Sequence, residues 1–309
     1  MKKVLPLALV LASFLGAQAQ QDPLFAHYMF NPMHFNPAYA GVEGYTKITA
    51  LHRSQWLGAG YGLQTQYLGL NTPIFNLRSG AGFFLVNDNN VHRNNIMANA
   101  TYAYHLAVDK SKLSFGLKAG IYSTSINFRD IRVNDTEDEY LLDGQEVYSK
   151  FDLGLGAFWQ SEKYFLGLSV DHLANSNFSI ASDPLRANLR PNLYFLGGYI
   201  YEVNYNLWLR PSVLFRSDFS SFSFDASTIA TYNEKLWGGA SYRWQDAITL
   251  LMGYNLTKEH NLSLGFAFDI VVSNADAKAA TSMEFMLSYL LPVDFGSTKK
   301  IIRTPRFRH

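Results

Sequence analysis

Cysteine is absent from the 309 residues. That excludes a disulfide framework, a thiolate metal site, a cysteine nucleophile and an acylated cysteine anchor. Long apolar runs are missing too. The longest, Val4 to Leu15, falls short of the roughly 20 apolar residues a membrane-spanning helix needs. Charge of one sign is also lacking: Lys and Arg total 26, Asp and Glu 25, for a net charge of +1. With no basic patch or stripe, nucleic acid is not a partner.

The short apolar run has a different reading. Lys2 and Lys3 precede it and Ala17-Gln18-Ala19 follows it. Basic n-region, apolar h-region and A-x-A site together mark residues 1–19 as a signal peptide, with the mature chain starting near Gln20.

What the chain does have is alternation. In Lys112 to Ile121, Leu113, Phe115, Leu117, Ala119 and Ile121 share one face of an extended strand. Lys112, Ser114, Gly116, Lys118 and Gly120 share the other, because successive side chains of a strand point to opposite sides. Two lysines on one strand face suit the wet lumen of a membrane barrel better than a dry core. Fourteen such segments are predicted, at 45–54, 62–70, 79–87, 93–107, 111–124, 149–160, 163–172, 192–203, 206–217, 220–232, 235–244, 247–256, 260–272 and 281–292.

The links between them carry a second signal. Those near Asp109-Lys110, Ser161-Glu162, Asn204-Tyr205, Asn233-Glu234 and Lys258-Glu259 are tight, whereas those around Asp135 to Glu139 and Ala174 to Arg190 are long. Asn71 to Ser79 is the exception, long where a short link is due. Short turns on one side and long loops on the other are the habit of outer-membrane barrels. Tyr and Trp near strand ends (Tyr102, Tyr104, Trp159, Tyr164, Tyr199, Tyr201, Tyr242, Trp244, Tyr254) form an interfacial girdle in that reading. A soluble sandwich or propeller explains neither feature. Pro211 alone resists, since it sits inside the ninth strand, where a bulge or late strand start is expected.

The fold expected is therefore all-β: a transmembrane antiparallel barrel of about 14 strands over 45–295, with both termini periplasmic. Such a lumen is too wide for its own side chains to fill. Arg210 and Arg216 share a register with Asp225 on the next strand, so a lumen charge network is expected among them.

Residues 20–44 do not alternate. They hold two Asn-Pro steps, Asn31-Pro32 and Asn36-Pro37, in a stretch rich in aromatics and Met. A residue before proline is pushed out of the helical region, so each step breaks the chain. So apolar a segment must pack against something, inside the barrel or across its mouth.

Chemistry-bearing motifs are scarce. The eight histidines form no His-x-x-x-His pair, so no zinc site is written here. Asp171-His172 near Asn175 and Ser176 lacks a Gly-x-Ser-x-Gly elbow, and adjacent strand residues face opposite ways. The acidic run Asp135 to Glu139 lacks the glycine and terminal glutamate of an EF loop. Gly80 and Gly82 fall within a strand, not a phosphate loop. The expectation is no catalytic residue, no cofactor and no metal.

Three blocks resemble one family. Gln21-Asp22-Pro23 with Tyr28-Met29-Phe30-Asn31-Pro32 and Asn36-Pro37-Ala38-Tyr39-Ala40-Gly41 looks like the N-terminal signature of the PorP/SprF family. Arg53-Ser54-Gln55-Trp56 is similar to its Arg-x-Gln-Trp block, and Thr304-Pro305-Arg306-Phe307 to its closing Thr-Pro-Arg-Phe. The resemblance implies an outer-membrane component of the type IX secretion system of Bacteroidota. It implies partners among periplasmic ring and lipoprotein components, a peptidoglycan-associated linker lipoprotein, and secreted cargo or a large surface adhesin of the gliding kind. The segment with Tyr28, Phe30, Asn31, Pro32, Asn36, Pro37, Tyr39 and Gly41 becomes a candidate plug or partner site, with Gln55, Trp56, Arg306 and Phe307. The basic tail 296–309 is expected in the periplasm. A general porin or uptake channel of the same architecture is the alternative.

Overall fold

The computed structural model describes residues 22–58, 62–90, 93–127, 145–174, 177–178, 187–256, 261–273 and 281–291. The expected signal peptide, the Asp135 to Glu139 run, Asn175, Ser176 and the tail with Arg306 and Phe307 lie outside them.

Fourteen antiparallel strands close into one up-and-down barrel, each hydrogen-bonded to its sequence neighbours and the first to the last. They are β1 (Thr46–Gln55), β2 (Leu63–Ile74), β3 (Ser79–Asn90), β4 (Arg93–Val108), β5 (Ser111–Asn127), β6 (Gln145–Gln160) and β7 (Tyr164–Asp171). Then follow β8 (Asn192–Tyr199, resumed as Tyr201–Asn204), β9 (Leu207–Ser217), β10 (Phe222–Tyr232), β11 (Leu236–Arg243), β12 (Ala247–Asn255), β13 (Leu262–Val271) and β14 (Thr281–Leu291). Closure removes every sheet edge, which a strand crossing lipid requires.

Thr46 and Leu291 pair at what we term the near end. There the links are short: 75–78, 109–110, 161–163, 205–206 and 233–235. The exception at Asn71 to Ser79 dissolves, because β2 runs on through Thr72 and Pro73 to Ile74, with Pro73 opposite Gly80. A three-residue turn, Phe75–Leu77, and Arg78 in the left-handed region (φ 49°) complete the link. The far end carries the longer spans 128–144 and 172–191.

Alternation assigns the faces as expected. Phe115 is 51% exposed on the outside and its neighbour Ser114 is 0% exposed on the inside. Lys118 is buried in the lumen. Strands β4, β5 and β6 have 16, 17 and 16 residues against 8 for β7 and β11, so one wall stands taller. On β5 the outward residues beyond Ile121, Ser123 and Ser125, are polar and hydrogen-bond to Ser149 and Gln145.

Pro211 sits in an unbroken ladder with β10, opposite Thr228, without a bulge in β9. The accommodation is made by the other neighbour. β8 is interrupted at Ile200, and the ladder between β8 and β9 has a gap there between Gly198↔Ser212 and Tyr201↔Leu209. A proline lacking its N–H needs no partner where none is offered.

Candidate functional site: the filled lumen

Residues 22–44 lie inside the barrel and descend from the far end to the near end. Asp22 stands beside the far ends of β7 and β8, and Gly41 beside the near ends of β2 and β3. The start of the described chain is therefore at the far end, whereas one face was expected to hold both termini.

Local sequence shapes the path. Each Asn-Pro step ends one turn and begins the next: Tyr28–Phe30 closes at Asn31, Pro32 opens the helix Pro32–Phe35, and Pro37 opens the turn Pro37–Tyr39. Proline fits the first helical position because its missing N–H would be unpaired there anyway. Asn36 takes an extended conformation, and its Oδ1 accepts from Ala38 N at 2.9 Å. A chain so broken presents side chains in every direction, which suits an element walled all round.

The contacts run round the lumen. Tyr28 Oη donates to Ser212 O at 3.0 Å and lies 2.8 Å from Ser227 Oγ, on β9 and β10. Asn36 Nδ2 donates to Ala157 O at 3.0 Å on β6 and Leu168 O at 3.3 Å on β7. Ser169 Oγ donates to Phe35 O at 2.6 Å. Gly41 N donates to Asn71 Oδ1 at 2.6 Å, and Tyr39 packs edge-on against Phe158. Phe25, Tyr28, Met33 and Phe35 are all 3% exposed or less, and each such burial stabilises by about 1.5–3 kcal/mol relative to exposure.

The wall yields space through glycine. A Cβ on Gly80 would come within 2.1 Å of Ala40 O, and one on Gly116 within 2.2 Å of Ala38 N. Both obstacles are backbone and have nowhere to go. Alternation puts these glycines on the lumen face, but only the segment pressed against them shows why they are glycines.

Two charge clusters hold the segment in the far half. In the first, Glu284, fully buried, accepts from Ala26 N at 2.7 Å, His27 N at 2.9 Å and Arg53 Nη1 at 3.3 Å, and lies 2.8 Å from His27 Nδ1. Arg53 also reaches Asp269 at 2.5 Å, which continues to Arg243, Asp225 and Arg216 at 3.9, 2.7 and 3.7 Å along the chain of pairs. In the second, His172 has Asp152 Oδ1 2.9 Å from Nδ1 and Asp22 Oδ1 3.0 Å from Nε2. With a carboxylate on each nitrogen the ring is a cation that clamps Asp22 and has no free nitrogen to act as a base. Asp171 and His172 both point inward, since His172 takes a left-handed turn (φ 58°) after the strand ends.

Burial alone would raise the Asp22 carboxyl. The His172 charge, with hydrogen bonds from His172 and Tyr194, outweighs that and holds it well below the usual carboxylate range. Burial, aided by the Lys118 charge, lowers His34 from 6.5 to about 3, so His34 sits neutral in its aromatic surroundings of Phe25, Tyr67 and Phe84.

Two chambers remain. The far one, about 1000 Å³, is lined by Asp22, Pro23, Leu24, Gln55, Trp56 and neighbouring strand ends. Gln55 and Trp56 thus share this chamber with the first residues of the segment, while Tyr28 to Gly41 lie further along the lumen. The near one, about 500 Å³, is lined by Phe30, Tyr39, Tyr45, Trp208, Trp237 and Arg210 among others. Arg210 is a correction to the expected network. It faces inward as its register requires, but it lies near the start of β9, pairs across to Ile229, and makes no ion pair among the described residues. Arg216, six residues nearer the far end, is the one that reaches Asp225. Among the described residues no group of three metal-binding side chains occurs.

Residues 17–289 match the family described as "Type IX secretion system membrane protein PorP/SprF". The chain belongs to that family. No curated protein matches the sequence. Solved structures resemble the fold at low identity. The Ralstonia pickettii toluene transporter TbuX aligns with TM-score 0.50 and 12% identity, over 84% of this chain and 92% of that one. The Acinetobacter baumannii outer membrane protein Omp33 aligns with TM-score 0.46 and 9% identity, over 80% and 98%. The PorP/SprF chain has an outer-membrane barrel fold, and the TbuX likeness extends no further than fold.

Proposed function

We propose that this PorP/SprF member is a plugged, non-enzymatic barrel that supports secretion or surface attachment of proteins bearing type IX sorting domains. The observation that carries the reading, beyond the family, is the plug. Residues 25–41 touch opposite walls, from β2 and β3 to β9 and β10, and divide the lumen into two chambers. A general porin needs a continuous passage, and this lumen is occupied where a passage would run. The near end, with its short links, faces the periplasm in this reading. There it meets ring and lipoprotein components of the machinery, while the far chamber opens outward toward cargo or adhesin. The tail 296–309, with Arg306 and Phe307, belongs to the same periplasmic contact.

The test is a deletion strain carrying a reporter fused to a type IX sorting domain. The reading expects the reporter to accumulate inside the cell and to reappear outside on complementation. Unchanged secretion, together with porin-like conductance of the purified wild type in a planar bilayer, would favour the channel. Truncation at Gly296 is expected to reduce co-purification of periplasmic components; intact co-purification removes the tail from the account.

A further inference from the structure

The near chamber combines aromatic side chains with a single arginine, Arg210. Phe30, Tyr39, Tyr45, Phe165, Trp208 and Trp237 line it. Lys47 spends its charge internally, donating to Glu43 at 2.9 Å and to Phe30 O at 3.2 Å. Arg210 does not: among the described residues it has no carboxylate within ion-pair distance, whereas Arg53, Arg216 and Arg243 each have one or more. An unpaired guanidinium set among aromatic rings is the composition of a protein-recognition hot spot. Its planar fork matches a carboxylate. The plug closes the chamber toward the far end, so whatever enters must dock and cannot pass through.

We propose that this chamber receives a segment of a partner protein that carries an aromatic side chain beside a carboxylate, the ring seated among Phe30, Trp208 and Trp237 and the carboxylate on Arg210. The inference rests on the plugged reading, since an unplugged chamber would be a passage. The chain's own tail is a poor occupant, because Lys299, Lys300, Arg303, Arg306 and Arg308 would crowd Arg210 with like charge. A small aromatic acid shares the chemistry of the segment but lacks its length.

The experiment uses the purified full-length chain in detergent and a fluorescein-labelled, end-capped peptide, Gly-Ser-Phe-Asp-Gly-Ser, read by anisotropy. Saturable binding is expected, at least tenfold tighter than the matching Phe-Asn peptide, equivalent to about 1.4 kcal/mol. Arg210→Gln should abolish the preference for Asp, Arg210→Glu should shift it to a Phe-Lys peptide, and Trp208→Ala should weaken Phe-Asp and Phe-Asn alike. Heat-modifiable migration on gels confirms that each variant is folded. Equal binding of Phe-Asp and Phe-Asn to the wild type, or none at millimolar peptide, overturns the proposal. So does phenylacetate competing as tightly as the peptide itself, which would make this a small-molecule site. Binding that appears only after truncation following Leu291 would assign the chamber to the tail. Bilayer conductance of the same wild-type sample separates the two readings: an open pore defeats the plug, whereas lost peptide discrimination with a closed pore defeats only the receptor.

Discussion

The two ends of this lumen are built differently from the same alternating strands. In the far half two runs of charges are paired with one another. Glu284, Arg53, Asp269, Arg243 and Asp225 form one run, Asp22, His172, Asp152 and Lys118 another, and both take hold of the plug. In the near half the plug shows aromatic surface to a chamber, and the guanidinium there has no ion-pair partner among the described residues. The far half holds the segment in place; the near half leaves a chamber beside it. Buried charges are tolerated where hydrogen bonds satisfy them, and removing one partner leaves the other stranded.

The largest effect expected from breaking this comparison comes from the wall glycines. Gly80→Val or Gly116→Val should drive the segment out of the lumen, because the clash is with backbone. Proteolysis of the folded barrel at residues 22–44 and a gain in ion conductance are the readouts. Unchanged protection would mean that the close approach is not needed. Glu284→Ala comes next, with a cost of about 3–5 kcal/mol as His27 and Arg53 lose their common acceptor. Glu284→Gln, which keeps the shape and one acceptor, should cost less. Differential unfolding in detergent would rank the two, and equal effects would contradict the charge-based anchoring.

A pH series sharpens the comparison further. His34 sits at about 3 in place and returns toward 6.5 once the segment leaves. The released form therefore binds the extra proton between those values, so seating is fully favoured above 6.5 and weakens as pH falls toward 3. At pH 4.5 the shift toward release is about a hundredfold, since each pH unit below 6.5 contributes about tenfold. Asp22, held low in place, acts in the same direction but only below the free carboxyl's 3.8, where the released form takes up a proton. Conductance or protease access measured from pH 7.5 to 4.5 should rise in the wild type and stay flatter in His34→Phe. The smallest effect is expected at Arg210. Exposed and without an ion pair among the described residues, it should alter stability by less than about 0.5 kcal/mol on substitution to Gln, whereas Arg216→Gln should cost more. Equal costs would erase the distinction between the two halves.

Arg210 also shows what the sequence could and could not say. Alternation encodes which face a side chain takes, and by that measure Arg210, Arg216 and Asp225 were placed on the correct side. It does not encode height along the barrel axis, and height decides who meets whom. The ends of β2 were obscured for a related reason: Asn71-Thr72-Pro73 has turn composition, yet Pro73 is held in the ladder by its neighbours opposite Gly80. The break in β8 could not be seen from Pro211 alone, since the adjustment lies on another strand. Gly80, Gly82, Gly116 and Gly156 stood in plain sight on the polar faces. Their role is invisible without the segment that presses on them, and the contacts of Ala38 and Ala40 are non-local. The two Asn-Pro steps announced that residues 22–44 are neither strand nor linker. Their course from far to near end needed the partners of Asp22 and Gly41.

The central claim is that residues 22–40 close the lumen. Single-channel conductance of the purified barrel in a planar bilayer, wild type against a deletion of residues 22–40, tests it most directly. The account predicts a closed wild type and a deletion variant that conducts steadily, with heat-modifiable migration retained in both. Wild-type-like conductance in the deletion variant would contradict it.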